Sequence, residues 1–173
     1  MPELTLVLDK EAIARKVAEV ARDISVDYQE SDLVLIGVLK GAFVFMADLM
    51  RQLQLRQVAV DFVRISSYGA NCQSSGNICL LKDFEIDIQN KDVLIIEDIL
   101  DTGLTVAFLK QHLLSFNPRS VKVCAFVDKF ERRQIDLDAD YACLQVKEGF
   151  LVGYGLDYAE GYRHLPGVFN LNL

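Results

Sequence analysis

The residues Val93-Leu94-Ile95-Ile96-Glu97-Asp98-Ile99-Leu100-Asp101-Thr102-Gly103-Leu104-Thr105 decide how this chain is organised. Four apolar residues, three of them β-branched, run directly into the carboxylates of Glu97 and Asp98. An apolar run without polar alternation reads as a parallel strand buried on both faces. Beyond Thr105, the residues Val106, Ala107, Leu109, Leu113 and Leu114 follow helical spacing. The pattern is strand, loop, helix N-terminus, with the loop at the carboxyl end of the strand. In open α/β sheets that is the end where ligands bind.

The residue types in the loop define what could bind there. A helix start presents N–H groups that lack an intrahelical partner, together with a partial positive charge, and so suits a phosphate. Gly103 lets the backbone approach an anion closely, and Thr102 and Thr105 add hydroxyl donors. Glu97, Asp98 and Asp101 would repel that same anion unless a cation or sugar hydroxyls lay between. Glu97 and Asp98 are hard oxygen ligands, suited to Mg2+ or to a ribose diol. The loop therefore calls for a ligand with a phosphate at one end and hydroxyls or a metal in the middle. The bland alternative is an ordinary βα loop with a solvated acid cluster.

With 173 residues, half of them apolar and a quarter charged, the chain suits one globular, soluble domain with a sizeable core. A net charge of −7 argues against nonspecific binding of nucleic acid or an anionic membrane. No apolar run reaches transmembrane length, and Met1-Pro2-Glu3 begins no signal peptide. Cys72, Cys79, Cys124 and Cys143 form no C-x-x-C pair, so free thiols in a reducing cytoplasm are expected.

Outward from the central stretch, the same pattern recurs. Asp9 can cap a helix whose apolar stripe is Ile13, Val17, Val20 and Ile24. Residues 33–38 read as a buried strand, followed by Leu39-Lys40-Gly41 and a helix over 42–53. Lys40-Gly41 before a helix suits a pyrophosphate, or is merely a solvated Lys in a turn. Residues 58–63 alternate as a strand, and residues 66–77 are rich in Ser, Asn and Gly, as in a lid or a floppy hairpin tip. Residues 121–127 read as another strand, ending at Asp128-Lys129. Residues 141–146 read as a further one, ahead of Glu148-Gly149-Phe150. Lys129 is either a surface residue beside Glu131, Arg132 and Arg133 or a site residue at a strand's carboxyl end. Phe150 on its own reads as core.

Residues 93–105 resemble the phosphoribosyl-pyrophosphate (PRPP) signature of the phosphoribosyltransferases, in the variant of their hypoxanthine–guanine branch. Leu39-Lys40-Gly41, Ser66-Ser67-Tyr68-Gly69 and Val152-Gly153-Tyr154-Gly155-Leu156-Asp157-Tyr158 are similar to that branch too, so the resemblance covers nearly the whole chain. It implies an α/β fold with a mainly parallel sheet flanked by helices. The core would span about 30–145, with a small hood from the N-terminal segment and about 146–173. It implies transfer of 5-phosphoribosyl from PRPP to N9 of a 6-oxopurine, with Mg2+ as cofactor. The roles it implies place Thr102, Gly103, Leu104 and Thr105 on the 5′-phosphate, and Glu97 and Asp98 on the ribose or its metal. Lys40, Gly41 and Arg163 would hold the pyrophosphate. Asp157 would lie beside the purine and hold a second Mg2+. Ser67 and Tyr68 would belong to a lid, and Lys129, Phe150 and Leu151 would hold the purine. Asp101 would manage the proton at N7. The family commonly forms dimers or tetramers, and often carries a cis peptide before the Lys of the pyrophosphate loop. One departure is Gln145-Val146, where many relatives have Ile-Pro, which leads us to expect a looser hood.

Two other readings follow from the same residues. One is a non-catalytic regulatory protein that binds PRPP or a nucleotide. Such proteins usually lose the acid or the lid, and here Asp101, Ser67, Tyr68 and Lys129 are all present. The other is a phosphoribosyltransferase that prefers xanthine.

Overall fold

The computed structural model describes residues 3–66 and 78–172. They run β1 (Glu3–Leu8), α1 (Lys10–Asp27), β2 (Leu33–Leu39), α2 (Phe43–Met50), β3 (Val58–Ser66) and β4 (Cys79–Lys82). There follow β5 (Asp92–Leu100), α3 (Leu104–Leu114), β6 (Ser120–Lys129), β7 (Tyr141–Val146), β8 (Leu151–Val152) and β9 (Val168–Asn172). Asp9 caps α1 as its sequence implies, accepting the Ala12 N–H at 2.7 Å. The stripe Ile13, Val17, Val20 and Ile24 is buried.

Six strands form one sheet in the order β4-β3-β2-β5-β6-β7. All neighbours are parallel except β4, which runs antiparallel to β3. Both faces of this sheet are covered, which is why its central strands show no polar alternation. Leu94 and Ile96 of β5 pack with α1 and α2 on one face. Val93 and Ile95 pack with α3 on the other. The two-residue period of a strand is thus intact, with apolar residues on both sides.

This topology decides where a site can lie. β2 has β3 on one side and β5 on the other. The loops leaving the carboxyl ends of β2 and β5 therefore diverge, and a crevice opens between them. Because β2, β5 and β6 are parallel, the segments after Leu39, Leu100 and Lys129 all emerge at that one edge.

A second, antiparallel sheet, β1-β9-β8, joins the two ends of the chain. β9 was not evident in the sequence, because its longer pairing is with β1 at the far end of the chain and β8 offers only two residues. α2 is shorter than the 42–53 expected. Cys124 and Cys143 are buried free thiols, but Cys79 is disulfide-bonded, contrary to the free thiol expected there. Sequence spacing carries no information about which sulfurs meet in space. Despite Gln145-Val146, β7 stays paired with β6 through Val146, so the expected loosening is not seen at that point. Ser67 and Tyr68 lie outside the described residues. No described helix is long and apolar enough to cross a membrane.

Candidate active site

The loop after β5 is shaped by Gly103. It sits at φ +83°, a left-handed conformation that glycine adopts without strain, and as the residue before α3 it brings no side chain of its own to cap the helix. A Cβ here would also stand 2.8 Å from Cγ1 of Ile135. Thr102 Oγ1 accepts the Leu104 N–H at 3.3 Å. The helix N-terminus beside Thr102 and Thr105 is thus available to an anion. Glu97, Ile99, Asp101, Thr102, Gly103 and Thr105 help line a cavity of about 280 Å³ at this point.

Glu97 is buried and Asp98 half-buried, side by side. Burial, and then the neighbouring Asp98 carboxylate, push the Glu97 carboxyl well above its usual range. Burial also raises Asp98, although Glu97, the Ile99 amide and Arg163 oppose the shift. These are carboxylates short of positive charge, so the donor set fits a hard cation or a diol. Among the described residues, no group of three or more His, Cys, Asp or Glu could hold a metal ion. A cation here would take its remaining oxygens from a ligand.

The burial of Glu97 has a testable cost. A carboxyl with a raised folded pKa favours folding below its unfolded pKa and penalises folding above the folded value. Glu97→Gln should therefore raise the thermal midpoint of the ligand-free protein at pH 7. About 1 kcal/mol corresponds to about 2–4 °C in a chain of this size. The gain should shrink as pH falls towards about 4, where Glu is mostly neutral in the unfolded chain as well. Thermal unfolding from pH 4 to 8 measures this, and a variant less stable than wild type at pH 7 would contradict it.

The Lys40-Gly41 loop meets these acids directly. A Cβ at Gly41 would stand only 1.7 Å from Oδ2 of Asp98, and one at Gly155 would stand 2.4 Å from the Gly41 carbonyl. Glycine at both positions lets the 152–157 segment, the β2 loop and the acids come together. The Leu39–Lys40 peptide is cis, the geometry the resemblance implied. Lys40 Nζ pairs with Glu160 at 2.7 Å. Glu160 N–H donates to Asp157 Oδ2 at 2.9 Å, and Arg163 Nη2 lies 2.9 Å from Asp157 Oδ1. Arg163 also donates to the Gly155 carbonyl at 2.6 Å, and its buried Nε has no partner among the described residues. Lys40 and Arg163 are thus engaged by acids rather than open. Arg163 lines a groove beside α2, and neither it nor Lys40 and Gly41 lines the cavity beside the phosphate loop or the one beside Phe150.

A second cavity, of about 170 Å³, adjoins the first and shares Ile99 and Asp101 with it. Asp98, Lys129, Arg132, Phe150, Leu151 and Asp157 are among the other residues lining it. Lys129 is buried, not on the surface, with its Nζ 3.2 Å from Glu131. Phe150 is 41% exposed and not in the core. Its ring meets Tyr158 edge-on at 5.5 Å, and its N–H donates to Asn170 at 3.0 Å. Asp101 stands between the cavities, and its buried Oδ1 has no hydrogen-bond partner among the described residues. Residues that the sequence did not single out also shape the site: Glu160, Glu131 and Arg133. Glu160 and Glu131 stay exposed and reach Lys40 and Lys129 from the surface, whereas the fold turns Arg133 inward.

Parallel strands with covered faces, a crevice at the β2–β5 switch and an acid-rich phosphate loop define a nucleotide- or sugar-phosphate-handling α/β protein. The phosphoribosyl transferase domain matches residues 4–159, and the chain belongs to the phosphoribosyltransferase family. Within it the similarity is to the hypoxanthine–guanine branch. The chain is 47% identical to a hypoxanthine-guanine phosphoribosyltransferase of Aquifex aeolicus (strain VF5), covering 96% of this chain and 94% of that protein. It is 40% identical to the enzyme of that name from Bacillus subtilis (strain 168), over 94% of this chain and 90% of the other. The crystal structure of a hypoxanthine-guanine phosphoribosyltransferase from Bacillus anthracis superimposes with a TM-score of 0.91 at 41% identity, covering 99% of both chains.

Proposed function

We propose that this protein is a purine salvage enzyme. It transfers 5-phosphoribosyl from PRPP to N9 of hypoxanthine or guanine, giving IMP or GMP and pyrophosphate. One observation carries the reading: two cavities, one beside the phosphate loop and one beside Phe150, share Asp101, whose buried Oδ1 has no hydrogen-bond partner among the described residues.

In this reading the loop from Thr102 to Thr105, with Gly103 and Leu104 between, holds the 5′-phosphate. Glu97 and Asp98 hold the ribose diol. Phe150 stacks on the purine, the backbone of Leu151 lies at its edge, and Lys129 donates to its 6-oxo group. Lys40, Gly41 and Arg163 hold the pyrophosphate, which must first displace Glu160 from Lys40. As N9 bonds to C1′, the bond from C1′ to the pyrophosphate oxygen breaks. Asp101 takes the proton leaving N7. Positive charge on the ribose ring is stabilised by Glu97 and Asp98. Glu97 and Asp98 would hold one Mg2+ and Asp157 a second, each ion taking its remaining oxygens from PRPP, and the ions would neutralise the leaving pyrophosphate.

The whole chain is read as one domain, with the β1-β9-β8 sheet as its hood, placed in the cytoplasm. The buried thiols of Cys124 and Cys143 suit that setting, and the disulfide at Cys79 does not follow from it. A homodimer or homotetramer is also inferred. Phe43 and Met50 support it as exposed apolar residues on α2, and sedimentation would read the mass.

The test is to incubate the purified protein with PRPP, Mg2+ and each of hypoxanthine, guanine, xanthine, adenine and the pyrimidine bases, and to identify the product. IMP and GMP are expected; the absence of any nucleotide would reject the reading. Lys129→Ala should lower kcat/KM for hypoxanthine by about 10–10²-fold, the value of a hydrogen bond from a charged donor. It should also relax the rejection of adenine. Unchanged efficiency and rejection would confine Lys129 to its pair with Glu131.

A further inference from the structure

Arg133 read as a surface residue in the sequence, but its side chain is 12% exposed and reaches under the site. All three guanidinium nitrogens are engaged. Nε donates to the Asp101 carbonyl at 2.9 Å. Nη2 donates to the carbonyls of Leu100 at 3.2 Å and Lys129 at 3.1 Å, and to the buried Asp128 carboxylate. Nη1 donates to the Leu137 carbonyl. The next residue adds a further tie, since Gln134 N–H donates to the Thr102 carbonyl at 3.0 Å.

The placement of these acceptors matters. The β5–β6 ladder ends at the pair Leu100↔Asp128. Past that pair, no strand hydrogen bond sets the spacing between Asp101 and Lys129. Asp101, the residue after β5, and Lys129, the last residue of β6, both line the base cavity. Arg133 continues the connection where the ladder stops. A planar fork of donors can span several carbonyls at once, which a single ammonium cannot.

We propose that Arg133 is a positioning residue for the transfer. By clamping the carbonyls of Asp101 and Lys129, it sets the distance between the group that takes the N7 proton and the group that reads the 6-oxo position. It touches no substrate and acts through those two residues. The inference rests on the function proposed above. A displacement of about 1 Å at reacting groups can cost about 10²-fold in rate.

Three proteins test it: wild type, Arg133→Lys, and the double variant Arg133→Met/Asp128→Leu. The double variant removes both charges, so no unpaired carboxylate is left buried. It carries the test if Arg133→Lys fails to fold. For each, kcat and KM with hypoxanthine and with PRPP, the hypoxanthine-to-adenine efficiency ratio and the thermal midpoint are measured. Both variants should lose about 10–10²-fold in kcat, with the hypoxanthine-to-adenine ratio reduced about tenfold and KM for PRPP little changed. A lower thermal midpoint with wild-type kcat and base ratio per folded molecule would make Arg133 purely structural and overturn the proposal. If the wild type itself forms no nucleotide, the proposed function fails first. Wild-type turnover with unaltered variants defeats the role of Arg133 alone.

Discussion

Asp101→Asn is expected to lower kcat by about 10²–10⁴-fold, the usual value of general acid–base participation, while the affinity for PRPP changes little. The expectation starts from position. Asp101 is shared by the phosphate-side and base-side cavities, and its Oδ1 is buried without a partner among the described residues. A buried acceptor left unpaired is costly, so such groups in native sites are usually completed by a ligand. Asn has nearly the same shape, and the main chain of Asp101 stays tied to Arg133 through its carbonyl. The loop that receives the 5′-phosphate should therefore survive. What Asn lacks is an oxygen basic enough to accept the N7 proton. Asp101→Glu should also be impaired, because an added methylene moves the carboxylate within a tight loop. Steady-state kinetics with both substrates, and PRPP binding measured separately, decide the matter. Near-normal kcat with collapsed PRPP affinity would make Asp101 a binding residue and send the proton elsewhere.

Removing divalent metal should reduce turnover by about 10³-fold or more, since a bound cation supplies several kcal/mol of charge stabilisation and each 1.36 kcal/mol is tenfold in rate. Glu97, Asp98, Asp101 and Asp157 all lie at the site, and PRPP would add further negative charge. Burial raises the carboxyls of Glu97 and Asp98, and the adjacent Asp98 carboxylate adds to the shift at Glu97. Lys40 and Arg163 cannot relieve the negative charge alone, because Glu160 and Asp157 already hold them. The same shifts fix the pH dependence. Protonation of Glu97 and Asp98 as pH falls through their raised values should weaken metal and PRPP binding together. Turnover measured in excess chelator and then across a Mg2+ titration tests the point. Undiminished turnover in chelator, with no metal carried on the protein, would sink the roles given to Glu97, Asp98 and Asp157.

Much of this was legible in the residues alone, for local reasons. A run such as Val93 to Ile96 has only one comfortable place in a soluble α/β fold, between two covered faces. Gly103 between Thr102 and Thr105 marks a helix start open to an anion, because the required backbone and donors are all within a few residues. Asp9 and the stripe from Ile13 to Ile24 specified α1 in the same way. What the sequence could not settle was everything that depends on distant segments meeting. Lys129 stood evenly between surface and site, and only the parallel alignment of β5 and β6 turned it inward. Phe150 read as core, whereas folding left it at the mouth of a cavity. Arg133 and Glu160 are ordinary charged residues by composition. Their partners, Asp101 and Lys40, lie 32 and 120 positions away. Local pattern determines helices, strands and the chemistry of one loop. The sheet order and the register of its strands determine which side chains share a cavity, and that information lies in contacts between segments rather than in any one of them.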